Sequence, residues 1–278
     1  MMVRSVLRVC ALAGAFVVSA AALLALSGCG TALPANVDPD QVDAVDPPAV
    51  GACRVLTPRD VEQHPSNATR TVPCSKPHTA ETYAVGELPA DLDDAAYDSR
   101  EVARTLYELC TDGFARHLGA DESVAMRTIL SWAKFQPSEK AWKKGARWYR
   151  CDLVGGTEDV AKDRYLDLPT HTRNLLRGTR PPDRWMACAR GASIATSTKV
   201  PCTRKHDWRA ATTIKVGDPG EAYPGDRAIE VKTREYCHSS ISAWLNYALD
   251  FQFGYTWFHE AEWEAGIRRS VCWARTDT

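Results

Sequence analysis

The chain has 278 residues, 45% of them hydrophobic, with 34 Lys and Arg against 35 Asp and Glu and a formal net charge of −1. So even a balance gives no sign of the strongly basic face that nucleic-acid binding calls for. Nine Trp and the apolar share are enough to build real cores, and ten Cys point to an oxidising compartment rather than the cytosol.

The first segment reads as an export signal. Arg4 and Arg8 form a short basic stretch, Val9 to Leu26 is almost wholly apolar, and Leu26-Ser27-Gly28-Cys29 follows. A basic start, an apolar run and small residues before a Cys make up a lipoprotein signal peptide, assigned to residues 1–28. Cleavage before Cys29, with acyl chains on its thiol, would anchor the chain on the outer face of the cytoplasmic membrane, in an extracytoplasmic position. The apolar run is also just long enough to span a bilayer, but a Cys at its end favours lipidation. Loss of Arg4 and Arg8 takes the net charge from −1 to −3. Residues 29–48 hold Pro34, Pro39, Pro47 and Pro48 with Asp38, Asp40, Asp43 and Asp46. No apolar period runs through them, so they read as an extended, solvated tether.

The rest of the chain repeats itself. Cys53, Cys74, Cys110 and Cys151 are followed by Cys188, Cys202, Cys237 and Cys272 in matching surroundings. Val72-Pro73-Cys74-Ser75-Lys76-Pro77-His78 corresponds to Val200-Pro201-Cys202-Thr203-Arg204-Lys205-His206, and Trp142-x-x-Gly145-x-Arg147-x-x-x-Cys151 to Trp263-x-x-Gly266-x-Arg268-x-x-x-Cys272. With Cys10 in the signal and Cys29 under lipid, eight Cys remain, four per repeat.

Module 1 is assigned to residues 49–154. Short strands are expected at Cys53–Leu56 and Thr79–Val85, where Tyr83 and Val85 alternate with smaller residues. Asp98-x-x-Glu101 resembles a capping box, and Val102, Leu106, Leu109, Cys110, Phe114 and Leu118 then form one helix face that Gly119 ends. A strand is expected over 126–135, a single helical turn before Gly145, and a last strand over 148–154. Residues 155–184 join the modules, with Leu166, Leu168, Leu175 and Leu176 available for packing. Module 2, residues 185–278, repeats the order, with a helix over 229–249, a strand over 251–258 and a last strand around Cys272. The fold class is α+β: two similar small disulfide-stapled domains, each a few-stranded antiparallel sheet with one main helix.

The cysteine order, the twice-used Val-Pro-Cys-x-x-x-His and the Trp-x-x-Gly-x-Arg before the final Cys resemble the septum formation domain of actinobacterial envelope proteins. The resemblance covers both modules. Departures are Gly51-Ala52-Cys53 where the family often has Gly-Asp-Cys, Arg209 where an acid corresponding to Glu81 is common, and Lys205 in place of Pro77. It implies a setting in cell division or the envelope, without a reaction.

Each module allows three disulfide pairings, which sequence alone does not separate. Cys53 and Cys74, like Cys188 and Cys202, flank a plausible hairpin, and Cys110 and Cys237 lie on helix faces that must pack on the strands of Cys151 and Cys272. The expectation is therefore 53–74, 110–151, 188–202 and 237–272. Cys74-x-x-x-His78 and Cys202-x-x-x-His206 have ligand-like spacing, but exported thiols tend to oxidise and no Cys-x-x-Cys accompanies them. No metal and no cofactor are expected, and His78 and His206 are read first as turn or strand hydrogen-bonders.

No catalytic motif stands out. Ser131-x-x-Lys134 falls on an expected strand, where its Lys has no reach to the Ser. Trp142 and Trp263 are expected to pack over disulfides. The run Phe253, Tyr255, Trp257 and Phe258 has no equally dense counterpart in module 1 and is a candidate groove lining. Candidate binding residues are thus His78, Glu81, His206 and those four aromatics. The expected function is a non-enzymatic binding or assembly module, held to the membrane through Cys29, with envelope or divisome proteins as partners and no nucleic acid. The rival is an envelope hydrolase or metal-dependent enzyme using His78 or His206. Differences between the copies, Glu81 against Arg209 and Pro77 against Lys205, are where function should be sought.

Overall fold

The computed structural model describes residues 36–63, 65–218, 220–264 and 266–276; the signal segment and Cys29 lie outside them. Among the described residues no helix is long and apolar enough to cross a membrane.

The first repeat comprises β1 (Cys53–Arg54), α1 (Pro58–Gln63), β2 (Thr71–Val72), β3 (Ala80–Glu87), α2 (Arg100–Leu118), α3 (Glu122–Met126), β4 (Leu130–Phe135), α4 (Glu139–Trp142) and β5 (Trp148–Gly155). The second comprises β6 (Ala187–Arg190), β7 (Thr198–Pro201), β8 (Trp208–Lys215), α5 (Asp226–Trp244), β9 (Phe253–Thr256), α6 (Glu260–Glu264) and β10 (Arg269–Arg275). The sheet orders are β2-β1-β3-β5-β4 and β7-β6-β8-β10-β9, antiparallel at every pairing. The two orders are the same topology, and both sheets carry a bulge at the same place, opposite Cys151 in one and beside Cys272 in the other.

In α2, Val102, Leu106, Cys110, Phe114 and Leu118 are buried along one face. Ser99, not Asp98, caps the helix, its hydroxyl accepting from the Val102 N–H at 3.2 Å. Gly119 ends it at φ +68, a left-handed conformation that costs Gly no Cβ clash. The strand expected over 126–135 starts only at Leu130: Met126 closes α3, which Asp121 caps by accepting from Val124 N–H, and Thr128 makes an isolated bridge to Met186. The second main helix stops at Trp244, short of 249, where Asn246 and Tyr247 both turn to positive φ.

Disulfides join Cys53 to Cys74, Cys110 to Cys151, Cys188 to Cys202 and Cys237 to Cys272. One bridge per module ties the hairpin at the sheet edge and the other ties the main helix to the sheet. Cα separations of 4.9–5.5 Å lie inside the range a disulfide needs.

The Trp-x-x-Gly-x-Arg motif has a single explanation in both copies. Gly145 at φ +95 and Gly266 at φ +100 reverse the chain, and the Arg folds back over the Trp. The Arg147 guanidinium lies 4.1 Å above the Trp142 ring and Arg268 lies 3.7 Å above Trp263, cation–π geometry in each case. Arg147 Nη1 also donates to the Trp142 carbonyl at 3.0 Å, and Arg268 Nη1 to the Trp263 carbonyl. The rings do not cover disulfides as expected: Trp142 packs on Leu88, Leu92, Val102 and Leu106, and Trp263 on Val216, Ile229 and Phe258.

The copies diverge on the sheet face away from the main helix. Module 1 buries Arg54, Arg150 and Asp152 there, each at most 1% exposed. Arg150 Nη2 lies 3.1 Å from Asp152 Oδ2, the Thr82 hydroxyl donates to Asp152 Oδ1 at 2.6 Å, and Arg54 donates to Thr82 and to the Thr69 carbonyl. Burial pushes Arg150 down to about 10, with Asp152 opposing it. Strand register places Ala189, Ala210, Val271 and Trp273 of module 2 at the positions of Arg54, Thr82, Arg150 and Asp152. An ionic cluster in one copy is apolar packing in the other.

That apolar face joins the modules. One connected core runs from Tyr83, Phe114, Leu130 and Leu153 to Trp185, Ala187, Trp208 and Trp273. Backbone bonds cross as well: Ile129 N–H donates to the Trp185 carbonyl and Ala187 N–H to the Arg127 carbonyl. The described residues accordingly form one compact unit. The connector takes part, with Leu168 and Leu176 buried and their N–H groups donating to the carbonyls of His78 and Leu118.

The described part of the expected tether is not extended and solvated. Val37 bridges Thr69, Asp43 accepts from Ser138 and pairs with Lys140 at 2.8 Å, and the Trp148 indole donates to the Ala44 carbonyl. Its Asp residues carry no apolar period, yet Asp43 meets the Ser138 cap of α4 and Asp38 accepts from Gln41 while its N–H donates to the Ala68 carbonyl.

Candidate functional site

The repeated His serves the same turn in both copies. His78 Nδ1 lies 2.8 Å from the Lys76 carbonyl and His206 Nδ1 lies 2.7 Å from the Arg204 carbonyl. A carbonyl only accepts, so Nδ1 carries the proton in each. Both rings are buried, which makes them locks on the turn following the second Cys.

Around His78 the groups draw close. Cys53 Sγ, a His78 ring nitrogen and a Glu81 carboxylate oxygen lie within 4.8 Å of one another, and His78 Nε2 is buried with no hydrogen-bond partner. Three such groups are the beginnings of a metal site. The Cys53 sulfur, however, is bonded to Cys74, and in that state it has no thiolate to offer a metal.

Glu81 is committed elsewhere. Its Oε2 accepts from the Thr172 hydroxyl at 2.7 Å and the Thr172 N–H at 3.2 Å, and the same hydroxyl lies 2.7 Å from His117 Nε2. Since Thr172 donates to Glu81, it accepts from His117. This Thr-His-acid set has a nucleophile-like composition, but Thr172 is fully buried and its hydroxyl clamps the connector to α2. Burial pushes the His117 pKa down, with Glu81 opposing.

In module 2, register places Arg209 opposite Cys188 as Glu81 lies opposite Cys53. The change opens a different surface. A cleft of about 1160 Å³ lies between the connector, the end of α3, the Cys202–His206 turn and β8. Arg127, Arg180, Arg204, Lys205 and Arg209 line it, with Asp183 as the acid among its lining residues and Trp244 at its wall. Arg127 is fixed by donating to the Ser123 and Ala211 carbonyls, and Arg209 donates to Asp183. Burial lowers the Arg127 pKa; Asp121 opposes this and neighbouring Arg209 adds to it. Cations held this close repel one another, and an anion between them removes that cost.

The sequence singled out positions 205, 206 and 209 through the copy comparison. It gave no sign of Arg127, Arg180 or Trp244: the first two come from module 1 and the connector, and Trp244 shares with Cys237 and Ile241 a helical spacing that reads as core. In the structure Trp244 is 46% exposed.

The aromatic run is largely consumed by packing. Phe258 is 2% exposed and packs on Trp263. Phe253 and Tyr255 are half-buried against α5, with Phe253 edge-on to His238, and Trp257 lies tilted against His259. A second cavity of about 220 Å³ lies between Tyr107, Trp132, Lys199 and Arg268. None of the four candidate aromatics lines either cavity. Ser131 and Lys134 stand three apart on β4 and so face opposite sides, and Lys134 Nζ donates to the Ala103 carbonyl.

A tandem of disulfide-stapled α+β modules, fused through one core and carrying a cationic cleft at the second copy, is the class of protein these observations define. The family model described as septum formation matches residues 26–136 and 51–272, and the chain belongs to that family. No curated protein and no solved structure matches the chain.

Proposed function

We propose that the chain is a non-enzymatic binding or assembly module of the cell envelope, lipid-anchored through Cys29 on the outer face of the cytoplasmic membrane, that works in septum formation. The observation that carries this reading is the division of labour between the copies. The Cys, His and Glu positions of module 1 are taken up by a disulfide, a turn and the connector clamp. The positions that differ in module 2, Lys205 and Arg209, face an open cleft. Family membership supports the link to division, four disulfides support an oxidising compartment, and Leu26-Ser27-Gly28-Cys29 at the end of the apolar run supports the anchor.

The test is made in cells. Labelled palmitate should enter the wild-type chain and not Cys29→Ser, and a fluorescent fusion should concentrate at division sites. Label in neither protein, or a fusion spread evenly around the envelope, would remove the anchor or the septal role respectively. The rival metal-dependent reading rests on the proximity of Cys53, His78 and Glu81. One equivalent of zinc in the fully oxidised protein would favour it over the reading proposed here.

A further inference from the structure

We propose that the cleft at the second module binds an anionic sugar or polyol polymer, one bearing repeated phosphate or carboxylate groups. This rests on the reading of the chain as a binding module and names the ligand class for it.

Three separate segments bring cations to the cleft: Arg127 from the end of α3, Arg180 from the connector, and Lys205 and Arg209 from the second repeat. Arg side chains fork onto phosphate and carboxylate oxygens and form two parallel charge-assisted bonds where they meet them. Arg127 is already held in place by two backbone carbonyls, so little freedom is lost when it takes an anion. The first copy lacks the feature at the source, since Pro77 and Glu81 occupy the positions of Lys205 and Arg209.

Size and wall chemistry narrow the ligand. A volume of about 1160 Å³ exceeds the roughly 300–1,000 Å³ of a small-molecule pocket, which suits several units of a chain rather than one small ion. Trp244 offers an exposed ring face on the wall, a stacking surface for a sugar ring or the carbon skeleton of a polyol. Asp183 sets a condition on binding: it holds Arg209 in an ion pair, and an incoming anion must compete with it.

That competition supplies a test with opposite signs. The full oxidised chain is titrated by calorimetry with poly(glycerol phosphate) as the phosphate arm and oligogalacturonate as the carboxylate arm. Neutral dextran and oligothymidylate are the comparisons. At least one charged arm should bind, more weakly as salt rises, with no binding of dextran. Arg180→Glu/Lys205→Glu, both on exposed side chains, should weaken binding by about tenfold or more. Asp183→Asn should tighten it by about threefold, since it frees Arg209. Loss of fold does not tighten binding, so the two variants together separate a site effect from unfolding. The proposal is overturned if neither arm binds, if dextran or oligothymidylate binds as well as the charged arms, or if both variants behave as wild type. Should the titrations fail while the fusion still marks division sites, the ligand class falls and the envelope reading stands.

Discussion

Asp152→Asn isolates the buried ionic cluster of module 1. The wild-type carboxylate is fully buried, 3.1 Å from Arg150 and 4.0 Å from Arg54, and accepts the Thr82 hydroxyl. Asn keeps the shape and removes the charge, which leaves two guanidinium groups buried together without a counterion. Removing one partner of a buried pair costs about 3–5 kcal/mol, a large part of the roughly 5–15 kcal/mol available to a domain. With a urea m-value of about 2–3 kcal/mol/M the midpoint should fall by about 1–2.5 M. The structure also supplies the rescue. Module 2 fills the same positions with Ala189, Ala210, Val271 and Trp273, so removal of every charge is compatible with this topology. Arg54→Met/Arg150→Met/Asp152→Leu should therefore recover most of the loss. A cost for Asp152→Asn under about 1 kcal/mol, or a triple variant less stable than the single one, would refute the reasoning.

Other consequences concern staples, turns and protonation. In the loop-entropy account, removing both Cys of the 110–151 bridge, which closes 41 residues, costs about 3.9 kcal/mol, against about 3.0 for the 14-residue 188–202 bridge; urea midpoints of the double Ala variants should rank in that order. Gly145→Ala meets nothing within 4 Å and is penalised by its φ alone, whereas Gly266→Ala also brings Cβ to 2.8 Å from Tyr107 of module 1. The second should cost more than the first, and equal thermal midpoints would argue against the module contact. His117 has a folded-state pKa below the ordinary 6.5. As pH falls through that value the unfolded chain takes up a proton that the folded chain refuses, and stability declines. Thermal midpoints from pH 7.5 to 5.5 should fall more steeply for wild type than for His117→Gln, and parallel lines would contradict this.

Much of the fold is legible in the residues around the cysteines. Each Cys lies beside a short apolar strand or on a helix face, and the repeat doubles the evidence for every element. The second main helix ends early because Asn246 and Tyr247 turn left-handed, a choice with no Gly or Pro to announce it. The 29–48 segment reads as solvated because the docking of its described part depends on Ser138, Lys140 and Trp148, about a hundred residues away. The cleft follows the same rule. Lys205 and Arg209 emerge from laying one copy over the other, but Arg127 and Arg180 join them only once the connector folds back, and no local pattern carries that. The aromatic run misleads for the opposite reason: its density is plain in the sequence, and the edge strand and α6 then bury the rings that matter.

The central claim is that the second copy binds where the first does not. A photo-crosslinking amino acid placed at position 205 and, separately, at position 77 of the full chain in dividing cells tests it directly. The account predicts adducts with an envelope component from position 205 and none from position 77. Equal adducts from both positions, or none from either, would contradict it.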